Sequence, residues 1–440
     1  MGSARRVLDN LIGGLPRAFW YLWTGSLINR LGSAVLVFMA IYLTQERGFS
    51  DARAGLVIGL WGAGGAAGSL LGGYLADRWG RRPTLLTAHL GAATLMVAMG
   101  FARDLPTLAG CALLLGLFAE AARPAFSAMM IDVVPERDRV RAFSLNYWAV
   151  NVGFAAAAIL GGFAARIDYL LLFLINAVTI VITAVIIFVK VREVDPGRRG
   201  ALPPVVPAGG GGPAPVGALR TILRDRVFLG LTGLNLFSAL VFLQASSMLP
   251  IAMTDDGLDA TTYGYIIALN GVLIVAGQLF VPRLIGRSSH SRVVALGVLL
   301  SGVGFGLTAF ADLAWLYALT VLIWTLGEMI NSPSNSTLVA TLSPAALRGR
   351  YQGVFSLSWQ LAGALAPTLG GLVRETAGDA TLWLGCFVLT ALVSLGHLLA
   401  RPARERRAAE LRAAALGTAT LPQVPIPGAA QTKAAAASGN

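Results

Sequence analysis

The sequence predicts an all-α membrane protein, with twelve transmembrane helices in two six-helix pseudo-repeats. Three observations carry this. The 440 residues are 56% hydrophobic and 13% charged, whereas an ordinary globular chain is about 25% charged. Apolar runs of about 20 residues, the length a helix needs to cross a bilayer core, recur along the chain. The second half also repeats the first at a constant offset of 209 residues. Barrel strands would alternate every second residue and these runs do not, so helices are the structure that satisfies the backbone in lipid.

Taken in order, residues 1–17 form a cytoplasmic N-terminus with Arg5, Arg6 and Arg17. The run 18–43 is too long for a signal peptide and contains Arg30, so it is the first membrane helix. Helices 2 to 6 follow at 54–77, 84–101, 105–131, 142–165 and 169–190, closing a bundle over 18–190. Residues 191–226 carry Pro203, Pro204, Pro207, Gly209–Gly212, Pro213 and Pro215 among arginines and read as a flexible cytoplasmic linker. Helices 7 to 12 follow at 227–250, 262–282, 293–311, 313–339, 351–373 and 381–400, a second bundle over 227–400. Residues 401–440 start charged, end rich in Ala, Pro and Gly, and read as a largely disordered cytoplasmic tail.

The net charge of +12 does not mark a nucleic-acid binder, because the basic residues sit in short loops between apolar runs. The face holding the termini and the even-numbered loops has 27 Lys and Arg, and the other face has 5. That asymmetry places both termini in the cytoplasm of a plasma or inner membrane. Lysine supplies two of the 34 basic residues, which fits a GC-rich bacterial genome. Cys111 and Cys386 both lie in apolar segments, so no disulfide framework, zinc site or cofactor is expected.

The repeat pairs Arg78 with Arg287, Pro124 with Pro333, Ser127 with Ser336, Pro135 with Pro344, Arg139 with Arg348, Arg141 with Arg350 and Gly161-Gly162 with Gly370-Gly371. Two parallel six-helix halves with a site between them at the midplane are a transporter architecture.

The stretch Gly73-Tyr-Leu-Ala-Asp77-Arg78-Trp-Gly80-Arg81-Arg82 lies between helices 2 and 3. It resembles the G-x-L-a-D-r-x-G-r-r/k loop signature of the major facilitator superfamily, and the resemblance covers about 18–400. It implies that Asp77 sits against the start of helix 11 and that Arg81 pairs with Asp132 at the inner end of helix 4. It further implies a conformational latch that holds the outward-open state and breaks as the halves rock, with Gly73, Arg78 and Gly80 shaping the turn. Topology alone would explain the arginines but not Asp77. The second-half copy at Gly277, Arg283 and Arg287 has no acid, so the latch is expected to be one-sided. The resemblance to drug:proton antiporters is incomplete. Helix 5 has Gly153 and Gly161-Gly162 but no proline, and Arg123 is followed at once by Pro124.

Charges inside a membrane are costly and mark function. Arg30 lies in helix 1, Glu120 and Arg123 lie one turn apart in helix 4, and Glu328 lies in helix 10. The resemblance places helices 1, 4, 7 and 10 around the cavity. Glu120 has Arg123 and Arg30 as candidate cations, and its plain alternative is a structural ion pair. Glu328 has no basic residue on helices 7 or 10, and its expected neighbours are Asn331, Asn335, Asn235, Ser238 and Gln244. A carboxylate without a cation is suited to taking up and releasing a proton. Glu328 is therefore the expected proton carrier, ahead of Glu120. Its alternative is a solvated or substrate-binding acid. Asn29, Asn146, Tyr147, Asn151, Asn235, Gln244, Asn270, Trp324, Asn331, Trp359 and Gln360 are candidates to shape the cavity or to bond helices together.

These readings define a secondary transporter working as a monomer in the lipid bilayer, with protons and a small molecule as its partners. The expected activity is export of lipophilic or cationic molecules against protons, as in multidrug efflux. The alternative is uptake or export of a polar or anionic metabolite, with Arg30 and Arg123 holding the anion. An enzyme is not expected: there is no G-x-x-x-x-G-K-[ST], H-E-x-x-H or G-x-S-x-G, and His89, His290 and His397 are scattered.

Overall fold

The computed structural model describes residues 14–191, 218–277, 280–281, 289–344 and 347–419. Twelve long helical segments follow one another there. They are α1 (Arg17–Glu46), α2 (Asp51–Arg78), α3 (Arg81–Phe101), α4 (Leu105–Val133), α5 (Arg139–Ile167) and α6 (Tyr169–Lys190) in the first half. In the second half they are α7 (Arg226–Ser247, continued by Leu249–Asp255), α8 (Ala260–Gly277), α9 (His290–Phe310), α10 (Ala314–Leu342), α11 (Arg348–Ala377) and α12 (Asp379–Leu399). Eleven are long and apolar enough to cross a membrane. The exception, α11, is 30 residues long but carries Gln352, Ser356, Ser358 and Gln360 among its apolar positions.

Two parts of the sequence reading change. The tail expected to be largely disordered is helical over Arg401–Ala419, here α13. Its Ala, Arg, Glu and Leu content favours helix, and an Arg401–Glu405 pair at 2.6 Å spans one of its turns. A short helix, Ala218–Arg224, occupies the end of the linker expected to be flexible. The rest of the linker, the signature copy at Arg283 and Arg287, and residues 420–440 lie outside the described residues.

The first helix of each half is broken at matching places. In α1, Ser33 leaves helical geometry and its hydroxyl bonds the Arg30 carbonyl at 2.8 Å. In α7 the break falls at Leu243, one residue beyond the repeat equivalent of Ser33. Broken helices near the midplane free backbone groups at the place where a transporter binds its cargo.

Packing relies on glycine where backbones touch. On one face of α2, a Cβ added at Gly64, Gly68 or Gly72 would strike the carbonyls of Leu113, Leu117 or Ala121 on α4. On another face, Gly55, Gly59 and Gly62 meet Pro367, Ala364 and Gly363 of α11, in the other half. This second seam is made of small residues and backbone, so the two surfaces can slide or part without interlocked side chains.

One face of the bundle carries the α2–α3 elbow and α13, and we call it the basic face. The polar contacts joining the halves gather at the opposite face. There Arg374 bonds Asp51, Glu375 accepts from the Ala52 N–H at 3.1 Å, Thr261 donates to the Gly162 carbonyl at 3.2 Å and Arg166 lies 3.6 Å from Asp259. Phe38 and Tyr263 meet edge to face at 5.5 Å on the same side. Toward the basic face the halves part: a Cβ on Gly73 would meet nothing within 4 Å, and Asp77 and Trp79 are exposed.

Candidate substrate cavity and gates

The first-half cavity, about 350 Å³, is lined by Arg30, Glu120 and Arg123 together with Asn29, Trp61, His89 and Asn146. Glu120 is buried, and one of its oxygens accepts from Arg123 at 3.1 Å. Its other oxygen is buried without a partner. Gly65 makes room for this side chain, since a Cβ there would come within 2.9 Å of the Glu120 Cγ. Arg30 stands near both Glu120 and Arg123 and is not ion-paired with Glu120, and Gly153 of α5 clears space for its Cβ. The expected triad of Arg30, Glu120 and Arg123 is thus brought together, with Arg123 as the bonded partner.

The second-half cavity, about 150 Å³, is lined by Glu328, Asn235, Ser238, Asn331, Asn335 and Trp359, among others. Glu328 is half-buried and accepts one hydrogen bond, from Asn270 of α8 at 2.9 Å. Among the described residues it has no cationic partner. Asn335 donates to Asn235 at 2.8 Å, and Asn235 donates to Ser358 at 2.7 Å, so a polar chain ties α10, α7 and α11 beneath the acid. Phe305 stacks on Trp324 at 5.5 Å, and Phe242 packs on Trp324 and Trp359, giving the cavity an aromatic wall.

Six cavity candidates line neither cavity: Asn270 and Trp324, which touch Glu328 and Phe305 of the second, and Gln244, Asn151, Gln360 and Tyr147. Gln244 is buried at the α7 break, where its amide donates to the Ala366 carbonyl at 2.9 Å and its oxygen accepts from Ser247 at 3.1 Å. It ties the broken helix to α11 and lines neither cavity. Asn151 donates to the Tyr147 carbonyl at 2.9 Å, with its own carbonyl against Gly271 of α8. Gln360 also lines neither cavity. Tyr147 is exposed and lies within electrostatic range of Glu328 across the halves.

At the elbow, Arg81 and Asp132 are ion-paired, and Arg81 also donates to the Ala128 carbonyl at 3.1 Å. Gly80 holds φ at +104° to start α3, a conformation open to glycine. Arg78 stacks on Tyr74. Among the described residues no contact of Asp77 with the start of helix 11 is seen; Asp77 is exposed on the face where the halves part. The pair within the half persists where the contact between halves does not.

A second set of charges was not anticipated. Arg374, at the far end of α11, has a side chain only 10% exposed. It bonds Asp51 of α2 at 2.7 Å, Asp255 of α7 at 2.7 Å and Asp379 of α12 at 2.5 Å. In the sequence it is one arginine of a sparsely charged face, and its three partners are far apart along the chain. At the basic face, Asp225 caps α7 through the Phe228 N–H and accepts from Tyr351 of α11 and Arg407 of α13.

Two six-helix halves joined at one face, parted at the other and charged along the gap define a polytopic secondary transporter. Comparison with known families agrees. The family model of the Major Facilitator Superfamily matches residues 22–367 and 245–428, and the chain belongs to that family of transporters, not to an enzyme family. The uncharacterised MFS-type transporter YttB of Bacillus subtilis (strain 168) is 28% identical over 399 residues, covering 90% of this chain and 98% of that protein. The Na(+), Li(+), K(+)/H(+) antiporter of Planococcus maritimus is 26% identical, covering 80% and 86%. The multidrug resistance protein MdtH of Aeromonas salmonicida (strain A449) is 25% identical, covering 84% and 91%. The fold matches the crystal structure of the POT family transporter PepTSo with a TM-score of 0.74 at 15% identity, over 89% of this chain and 99% of that one.

Proposed function

We propose that the protein exports small lipophilic or cationic molecules in exchange for protons, by alternating access, with its basic face in the cytoplasm. The observation that carries this reading is Glu328. It is an acid in an aromatic-walled cavity, bonded by a neutral amide and by no cation among the described residues. Such a group can hold either a proton or a cationic cargo, and exchange follows if the two exclude each other. The MdtH and cation/proton antiporter relatives support an exporter coupled to protons. Arg81 and Asp132 position the elbow, and Asp77 is the part of the latch that engages when the basic face closes.

Arg30 and Arg123 favour the second reading, transport of a polar or anionic metabolite on the same fold. Purified protein in liposomes with an imposed pH gradient separates the two. Proton release from an acidic interior on adding ethidium supports the export reading. No ethidium-driven proton flux, with pH-driven accumulation of a small organic anion instead, would replace it with the second.

A further inference from the structure

We propose that the transported molecule is amphoteric, with an anionic group held by Arg30 and Arg123 in the first half and a cationic group held by Glu328 in the second. This rests on the transport reading above and narrows its substrate class.

In the first-half cavity the guanidinium N–H donors exceed the charged acceptor, although the Glu120 and Asn146 oxygens buried there also lack partners. Arg30 makes no side-chain hydrogen bond or ion pair among the described residues, and Arg123 uses a single N–H on Glu120 while its side chain is 64% exposed. The buried Trp61 Nε1–H lines the same cavity without a partner. Two guanidiniums against one carboxylate leave one positive charge in excess. A planar anion such as a carboxylate matches a guanidinium fork through paired charge-assisted bonds.

In the second-half cavity the balance is reversed. Glu328 accepts from Asn270 alone, and the Asn335 side-chain oxygen is buried without a donor while its amide nitrogen is committed to Asn235. These acceptors suit an ammonium group.

One helix, α5, adjoins both sites: Asn146 lines the first cavity and its neighbour Tyr147 lies within electrostatic range of Glu328. Gly153 of α5 backs onto Arg30, and the Asn151 carbonyl of α5 faces Gly271, next to the Asn270 that holds Glu328. A ligand with one charge would satisfy one site and leave the charge of the other without a partner.

The probes are 4′-(aminomethyl)biphenyl-4-carboxylate, its methyl ester, which is a cation only, and its N-acetyl derivative, which is an anion only. Equilibrium dialysis with the purified full-length protein gives the three affinities. The zwitterion should bind about tenfold or more tighter than either singly charged form. Arg30→Gln should reduce the zwitterion to the level of the ester, with Arg30→Lys restoring part of the difference. Glu328→Gln should reduce it to the level of the N-acetyl form. Equal binding of the zwitterion and the ester, no binding of any of the three, or Arg30 variants that leave the preference unchanged would overturn the proposal. If the ester alone is bound and still moves protons in liposomes, the export reading stands and the amphoteric one falls. If the zwitterion is preferred but moves no protons, the reverse holds.

Discussion

Arg374 of α11 and Asp51 of α2 are bonded at 2.7 Å, across the two halves and at the face where they are closed. Hydrogen bonds to charged groups contribute about 1.5–3 kcal/mol each. Removing the guanidinium also leaves Asp51, Asp255 and Asp379 repelling one another. Arg374→Ala should therefore shift the protein toward the state open at this face. Spin labels on α1 and α7 near that face should report longer distances in the variant than in the wild type. Unchanged distances would show that the remaining contacts at this face, the glycine seam among them, keep it closed without Arg374.

That seam makes a separate prediction. A Cβ at Gly62 would lie 2.3 Å from the Gly363 carbonyl oxygen, and one at Gly59 2.6 Å from that of Ala364. Overpacking costs about 1–3 kcal/mol. Gly62→Val should favour the same shift as Arg374→Ala and slow transport. Gly73→Ala, in open space here, should leave the spin-label distances of this state unchanged.

The Arg81–Asp132 pair holds the elbow from within one half. Breaking a partly buried pair leaves a charge without its partner, and this costs more than the pair contributes. Arg81→Ala should lower the transport rate at least about tenfold, equivalent to roughly 1.4 kcal/mol, with substrate affinity little changed. The exchanged pair, Arg81→Asp with Asp132→Arg, should recover part of the rate. Loss of affinity in the single variant would instead assign Arg81 to the cavity.

The tail helix is anchored by Arg407 on Asp225, by Ser289 on Glu405 and by the buried Arg404 against His397 at 2.9 Å. Asp225→Asn weakens links to both Tyr351 and Arg407. Hydrogen exchange across 401–419 should speed up in that variant, with the first half unaffected.

Long apolar runs made the helices legible in the sequence, and α1 to α12 stand close to the predicted spans. The elbow was legible because glycine and charge sit at fixed short spacings. What escaped were contacts set by tertiary approach. Asn270 reaches Glu328 from another helix, and Asp51 and Asp255 reach Arg374 from distant parts of the chain, so no local spacing records these contacts. Gln244 read as a cavity group because a polar side chain in a membrane helix looks the same whether it faces a cavity or mends a helix break. The tail was judged on composition, which concealed the helix signal of its alanines and its Arg401–Glu405 spacing.

Proton coupling at Glu328 is tested most directly by comparing two activities of Glu328→Gln in liposomes. One is substrate exchange with equal pH on both sides, and the other is uphill transport driven by a pH gradient. A neutral amide keeps the side chain's size but cannot exchange a proton. The variant should keep exchange while losing gradient-driven transport and its pH dependence. Gradient-driven transport at the wild-type rate and pH dependence would contradict the assignment of Glu328 as the proton carrier.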